Sequence, residues 1–306
     1  MWRRAGASRR RVTLNGMHTI EQPRLSDAQR DKLMAALDRD GYFMLPVKLP
    51  DPMLRDAIAA IDALALKQLE AADGAGASSR PTSVKMHNCV DLSPAFRALM
   101  MFEPALQLAY DAFGPMFHLN QSNFVYRGRD SGAGDDFVNA SGWHADGPRP
   151  GLFPRVNGAM GLHYLKFGYF LNDIPAEGGS PLRVVRGSHK RDERDGRPLA
   201  TFDISDYADD LVELRVAAGT VVAFHQAQWH AAAPNTSDVV RKNVYISYCP
   251  TWMRPVDRAD PPREALAGLS AEERWLLGEP RDQPLRWWLP NGDDLQRMAR
   301  FARDGE

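Results

Sequence analysis

Cysteine is scarce in this chain: 306 residues carry two, Cys89 and Cys249. Two thiols cannot build a disulfide framework and fall short of a cysteine-based zinc site. Both exclusions favour a reducing, cytoplasmic setting. Net charge is scarce as well, at −1 from 38 basic and 39 acidic residues. That balance removes the electrostatic case for nucleic acid or for an anionic membrane as partner. No apolar run approaches the length of a bilayer span. What remains, 44% hydrophobic and 25% charged residues, suits a globular enzyme with one large core.

Acidic residues are missing from the first twenty positions. Arg3, Arg4, Arg9, Arg10 and Arg11 all precede Glu21, the first acid. The run is basic and acid-poor, as transit peptides are, but it has no apolar h-region of a secretory signal. We expect residues 1–24 to form a disordered basic tail, with Met17 as an alternative start. Residues 25–306 are then a single domain.

Within that domain the texture changes once. Residues 25–115 read mostly as helix. Ser26-Asp27-Ala28-Gln29 has the form of a capping box, Leu33, Met34 and Leu37 make an apolar stripe, and Gly41 closes the helix. Asp51-Pro52 opens the next helix, and the Gly/Ala/Ser-rich stretch 72–82 reads as a loop. From residue 116 to 250 short apolar runs alternate with turn residues. Strands are expected over 117–127, 141–145, 162–171, 182–185, 211–216, 220–224 and 239–248. Many short strands point to a mainly β fold with flanking helices, a double-stranded β-helix or jelly roll. Residues 251–306 read as a helix and loop extension. Ser270–Glu273 forms a second capping box there, and Trp275, Trp287 and Trp288 are expected to pack it onto the body.

Among eight histidines only His144 is followed two positions later by an acid, Asp146. Residues i and i+2 of a strand face the same side, so His144 and Asp146 can reach one metal ion. A glycine turn and a buried strand, Gly219 to Phe224, lead to His230. Two histidines and one carboxylate with open positions are the ligand set of a non-heme Fe(II) oxygenase. His225 lies at the strand end, where it is expected to bond backbone. Arg241 follows His230 by eleven residues. Its guanidinium stays protonated and binds carboxylates bidentately, which suits the far end of a dicarboxylic co-substrate. Two other readings compete: a cupin-like iron oxygenase with no co-substrate, and a non-catalytic jelly-roll binding module. Arg241 argues against the first and the triad against the second.

Taken together, Trp143-His144-Ala145-Asp146, Asn172-Asp173, Glu177 through Lys190, His230 to Ser237 and Arg241 resemble the phytanoyl-CoA dioxygenase family. The resemblance implies a jelly-roll core, Fe(II), 2-oxoglutarate and O2. It also implies hydroxylation of an unactivated C–H bond in a small molecule, with release of succinate and CO2. It assigns His144, Asp146 and His230 to iron and Arg241 to the distal carboxylate of 2-oxoglutarate. Gln121, Lys85 and Tyr169 match positions at the co-substrate pocket. Trp143, His163 and Asn123 are candidates for the substrate side.

Some positions depart from the family pattern. Ala232 stands where many members have a small hydroxyl residue, Arg186 replaces a common proline, and His189 belongs to a scaffold turn. Asp146 itself is informative, because halogenating relatives have a small residue there. Loops 130–141, 147–159 and 191–210 are expected to shape the entrance. The basic cluster Lys190, Arg191, Arg194 and Arg197 is interleaved with acids and reads as a solvated loop.

Overall fold

The computed structural model describes residues 9–14, 18–74, 82–130, 142–146, 155–156, 159–175, 177–191, 204–258, 261–279 and 292–303. Its first elements correct an expectation. Strands β1 (Arg9–Leu14) and β2 (His18–Pro23) pair as an antiparallel hairpin inside the stretch read as a disordered tail. In β1 the apolar Val12 and Leu14 stand on either side of Thr13 in sequence, and Ile20 of β2 joins the main core. Gln22 then bonds the backbone of Met101 and Glu103.

The helical part forms where its caps predict. Ser26 caps α1 (Asp27–Asp40) with both halves of the capping box, and Gly41 ends the helix at φ 83°. A Cβ at position 41 would also collide with Gln228. Next come β3 (Tyr42–Met44), α2 (Asp51–Gly74), β4 (Ser83–His87), α3 (Pro94–Met100) and α4 (Glu103–Phe113). The following strands are β5 (Phe117–Arg127), β6 (Arg155–Val156), β7 (Ala159–Met160), β8 (Leu165–Phe170), β9 (Leu182–Val185), β10 (Leu211–Leu214), β11 (Val221–His225), β12 (His230–Ala232) and β13 (Arg241–Pro250). The expected strand over 141–145 is reduced to a single antiparallel bridge between His144 and His230.

Two sheets make the jelly roll. The larger has the order β3-β11-β8-β13-β5-β4, the smaller β10-β9-β12. Period-two alternation divides the larger sheet's side chains cleanly. Leu165, Phe167, Tyr169, Val221, Ala223, Val244 and Ile246 join the main core under the helices. Phe170, Val222 and Phe224 point the other way and meet Leu182, Val184 and Leu214 of the smaller sheet. Helices therefore cover one face of the larger sheet, and the smaller sheet covers part of the other. A bulge keeps β5 in step: Ser247 pairs with Gln121 and Tyr248 with Leu119, which leaves Asn120 unpaired. The extra residue lets Phe117, Leu119 and Phe124 all face the core while Gln121 and Asn123 face the opposite side.

The chain's C-terminal part packs on the same core. Ser270 caps α5 (Ala271–Leu276) through the expected capping box, and Trp275 donates from Nε1 to Phe117 O at 2.8 Å. Phe301, beyond α6 (Gly292–Ala299), is also in the main core. Trp287 and Trp288, most of the 72–82 and 130–141 loops, and much of 147–159 and 191–210 lie outside the described residues. No helix among the described residues is long and apolar enough to cross a membrane.

Candidate metal centre

His144 and His230 are brought together by the backbone. Each donates its N–H to the other's carbonyl, at 3.0 and 2.9 Å. Such a hydrogen-bonded antiparallel pair presents its two side chains on one face as neighbours, and the ring centroids lie 4.2 Å apart. Asp146, two residues on, points to the same side. Its Oδ1 is 3.8 Å from His144 Nε2 and its Oδ2 is 3.7 Å from His230 Nε2. One ligand atom from each of the three residues lies within 4.8 Å of the others.

The tautomers follow from the partners. His144 Nδ1 lies 2.8 Å from Gly142 O, and His230 Nδ1 lies 2.9 Å from Gln228 O. A carbonyl can only accept, so each Nδ1 carries a proton and each Nε2 is the ring atom left for a metal. Burial, reinforced by His144, pushes the His230 imidazole down to about 3 against the opposing pull of Asp146. Burial alone would raise the Asp146 carboxyl, but Lys166, His230 and His144 together hold it below the usual carboxylate range. The set thus offers two imidazole Nε2 atoms and one carboxylate, the donor chemistry that a divalent transition metal takes.

A cavity of about 380 Å³ opens beside this cluster. Arg241 lies on its wall, with only 3% of its surface exposed. The turn before it is tied down first: Arg127 and Asp130 form a buried bidentate pair, and Asp130 accepts from Asn235 N at 2.7 Å. Within β13, Arg241, Asn243 and Tyr245 share a face. Arg241 donates from Nε to Asn243 Oδ1 at 2.6 Å and from Nη2 to Tyr245 OH at 2.8 Å. It also reaches Ser180 Oγ at 3.4 Å. None of these partners is anionic. Ser180 places a hydroxyl beside the guanidinium that Ala232, also on the cavity wall, does not have.

Gln121, Asn123 and Lys85 face the same cavity. Three expectations are corrected. Tyr169 points to the opposite face of β8, fully buried in the main core against the Phe102 ring. Trp143 alternates with His144 and is buried in a separate cluster with Val185, Trp229 and Ala231. His163 is held by Gln226, 3.1 Å from its Nδ1, and is not on the cavity wall. Period two explains the first two: a residue next to a cavity-facing one points away.

Sequence reasoning missed Lys166, Phe224 and Tyr245, which line the cavity. Lys166 was detectable as the one charged residue in the apolar strand Leu165–Phe170. Gly168, two residues on, lets the Tyr245 ring approach, since a Cβ there would lie 2.8 Å from Tyr245 Cε1. His225 and His189 are scaffold residues as expected. His225 Nδ1 accepts from Ala227 N at 3.0 Å, and His189 Nε2 lies 3.0 Å from Asp38 O.

A jelly roll with two histidines and an aspartate converging beside a deep cavity is the architecture of the non-heme iron oxygenases. The chain belongs to the phytanoyl-CoA dioxygenase (PhyH) family, whose description matches residues 37–243. That is a family of iron- and 2-oxoglutarate-dependent oxygenases. The L-proline trans-4-hydroxylase of Streptomyces griseoviridis is 24% identical over 247 residues, covering 73% of this chain and 88% of that protein. Solved structures share the fold. HygX from Streptomyces hygroscopicus, with nickel and 2-oxoglutarate bound, superposes with a TM-score of 0.56 at 18% identity, covering 77% of this chain and 91% of its own. The epimerase SnoN, in complex with Fe3+, alpha-ketoglutarate and nogalamycin RO, gives 0.52 at 20% identity, with 80% and 92% covered.

Proposed function

We propose that this protein is a cytoplasmic hydroxylase of a small molecule, with Fe(II) held by His144, Asp146 and His230. 2-Oxoglutarate is anchored by Arg241. The observation that carries the reading is the buried Arg241 guanidinium, which has no carboxylate partner among the described residues, set in the same cavity as the three-residue cluster. A buried charge is stable only when paired, and the distal carboxylate of 2-oxoglutarate supplies the counter-charge. When bound, iron and co-substrate supply oxygen activation coupled to conversion of 2-oxoglutarate into succinate and CO2.

The chain's own residues do the rest. The Nδ1–H bonds of His144 and His230 orient both Nε2 atoms toward Asp146. Asn243 and Tyr245 hold the Arg241 fork, which takes one carboxylate through its remaining N–H groups. Gln121 and Lys85 face the co-substrate and Asn123 the substrate. Leu182, Val125 and Phe224 make part of the wall apolar and limit water. The hydroxylase among the relatives and the carboxylate at position 146 support oxygen insertion as the outcome.

Anaerobic addition of Fe(II) and 2-oxoglutarate should produce a weak visible charge-transfer band. A folded protein that gives no band refutes the reading. Succinate release across a set of small molecules then identifies the substrate, and a product mass one oxygen heavier separates hydroxylation from desaturation or ring closure.

A further inference from the structure

Among the described residues Lys166 is the one whose ammonium is pressed against the metal cluster. Its side chain is 8% exposed, and Nζ donates to Asp146 Oδ2 at 2.5 Å. The rings of Phe224 and Tyr245 flank it at 5.8 and 5.6 Å. Two residues earlier on the same side, the Tyr164 hydroxyl donates to the backbone carbonyl of Asp146. Asp146 needs such support. His144 is tied by its bridge to β12, but the paired backbone stops there, and Asp146 lies beyond it in a bend. Residues 164 and 166 therefore grip Asp146 at both ends, main chain and carboxylate.

We propose that Tyr164 and Lys166 are positioning residues that clasp the carboxylate ligand, and that Lys166 sets the charge of the centre for a dianionic co-substrate. With Lys166 on Oδ2, Oδ1 is left as the unshared oxygen, so the carboxylate offers the metal a single donor. The net charge favours a dianion. A divalent ion, one carboxylate and one ammonium sum to two positive charges, and Arg241 on the same cavity wall adds a third. Removing the ammonium lowers that attraction and frees the carboxylate to turn. Its effect on the metal alone is smaller, because lost orientation weakens binding while lost repulsion strengthens it.

The inference rests on the ligand assignment above, and Co(II)-loaded protein tests the two separately. A His230→Ala protein that keeps the wild-type Co(II) absorption overturns the assignment. For the clasp, Lys166→Met should raise the 2-oxoglutarate dissociation constant about tenfold, within the usual range for partners of metal ligands. It should also change the Co(II) absorption, whereas Lys166→Arg should recover most of the affinity. A folded Lys166→Met protein with both properties at wild-type values overturns the proposal. Tyr164→Phe removes only a hydroxyl and serves if the methionine variant does not fold. It should shift the Co(II) absorption and weaken 2-oxoglutarate binding severalfold, and wild-type behaviour in both overturns the proposal equally.

Discussion

Two close histidine pairs sit in this protein, and they are built in opposite senses. The tilted rings of His144 and His230 lie 4.2 Å apart between centroids, those of His189 and His225 5.1 Å. Burial lowers the pKa of His230, His189 and His225 alike. The difference lies in which nitrogen is committed. In the first pair both Nδ1 atoms donate to backbone carbonyls, so both Nε2 atoms face Asp146. In the second, His225 Nδ1 is used up by the Ala227 amide, and His189 Nε2 donates to Asp38 O. No acid completes a cluster with the second pair among the described residues. Neither burial nor a depressed pKa therefore marks a ligand histidine; the direction of its free ring nitrogen does.

The sharpest way to break that contrast is to remove one member of each pair. His230→Ala should lower Fe(II) or Co(II) affinity by more than about 100-fold, since losing even an outer partner of a ligand costs roughly 10–100-fold. His225→Asn should leave metal affinity within about twofold while costing about 1–3 kcal/mol of stability from a disturbed buried hydrogen bond. Equilibrium dialysis and urea unfolding read the two effects. Equal metal loss in both variants would erase the distinction.

Next in size is the co-substrate anchor. Arg241→Met should weaken 2-oxoglutarate by on the order of 3 kcal/mol, roughly 100-fold, the loss typical of a buried hydrogen-bonded charge. Metal affinity should stay near wild type, because Arg241 touches none of the three cluster residues. Anaerobic titration of the charge-transfer band measures this. An unchanged 2-oxoglutarate dissociation constant removes Arg241 from the site.

The second pair should also announce itself in acid. An unfolded histidine titrates near its ordinary value of 6.5, whereas burial pushes His225 down to about 3 and lowers His189 as well. Below 6.5 the unfolded chain takes up protons that the folded chain refuses. The stabilisation is therefore complete above that pH and is lost as pH falls toward 3, at about 1.4 kcal/mol per unit for each proton. Urea midpoints at pH 7 and pH 5 should differ accordingly, and His225→Asn should flatten the dependence. A wild-type protein equally stable at both values contradicts this account.

Much of this organisation was legible in local signals. Caps placed α1 and α5 because Ser26 and Ser270 each have their partner three residues on. Spacing placed His144 with Asp146, and the turn Pro234–Ser237 placed Arg241 at a strand start. The illegible parts involve parity and partnership across strands. The family resemblance puts Tyr169 at the co-substrate pocket, yet alternation turns it toward the helices. The Asn120 bulge, which reverses the facing of β5, has no single-strand signature. Lys166 became meaningful only once the fold set it against Asp146, twenty positions away in sequence.

The two faces of the larger sheet give the finest test. Lys85 lines the cavity and has burial and Lys166 working against its charge, which lowers its pKa. Tyr169 lies across the sheet beneath the helices, in edge contact with Phe102 at 6.1 Å. Lys85→Met should therefore weaken 2-oxoglutarate a few-fold, about 3- to 10-fold for loss of a partly solvated charge near an anion. Tyr169→Phe keeps the ring that packs on Phe102 and alters nothing on the cavity side, so 2-oxoglutarate affinity should stay within about twofold. Any penalty should appear as a fall of roughly 1 kcal/mol or less in unfolding free energy. Loss of co-substrate binding in the phenylalanine variant would mean that β8 is set one residue out of register. Lys166 would then face the helices, and the site would have to be rebuilt around the other side of the sheet.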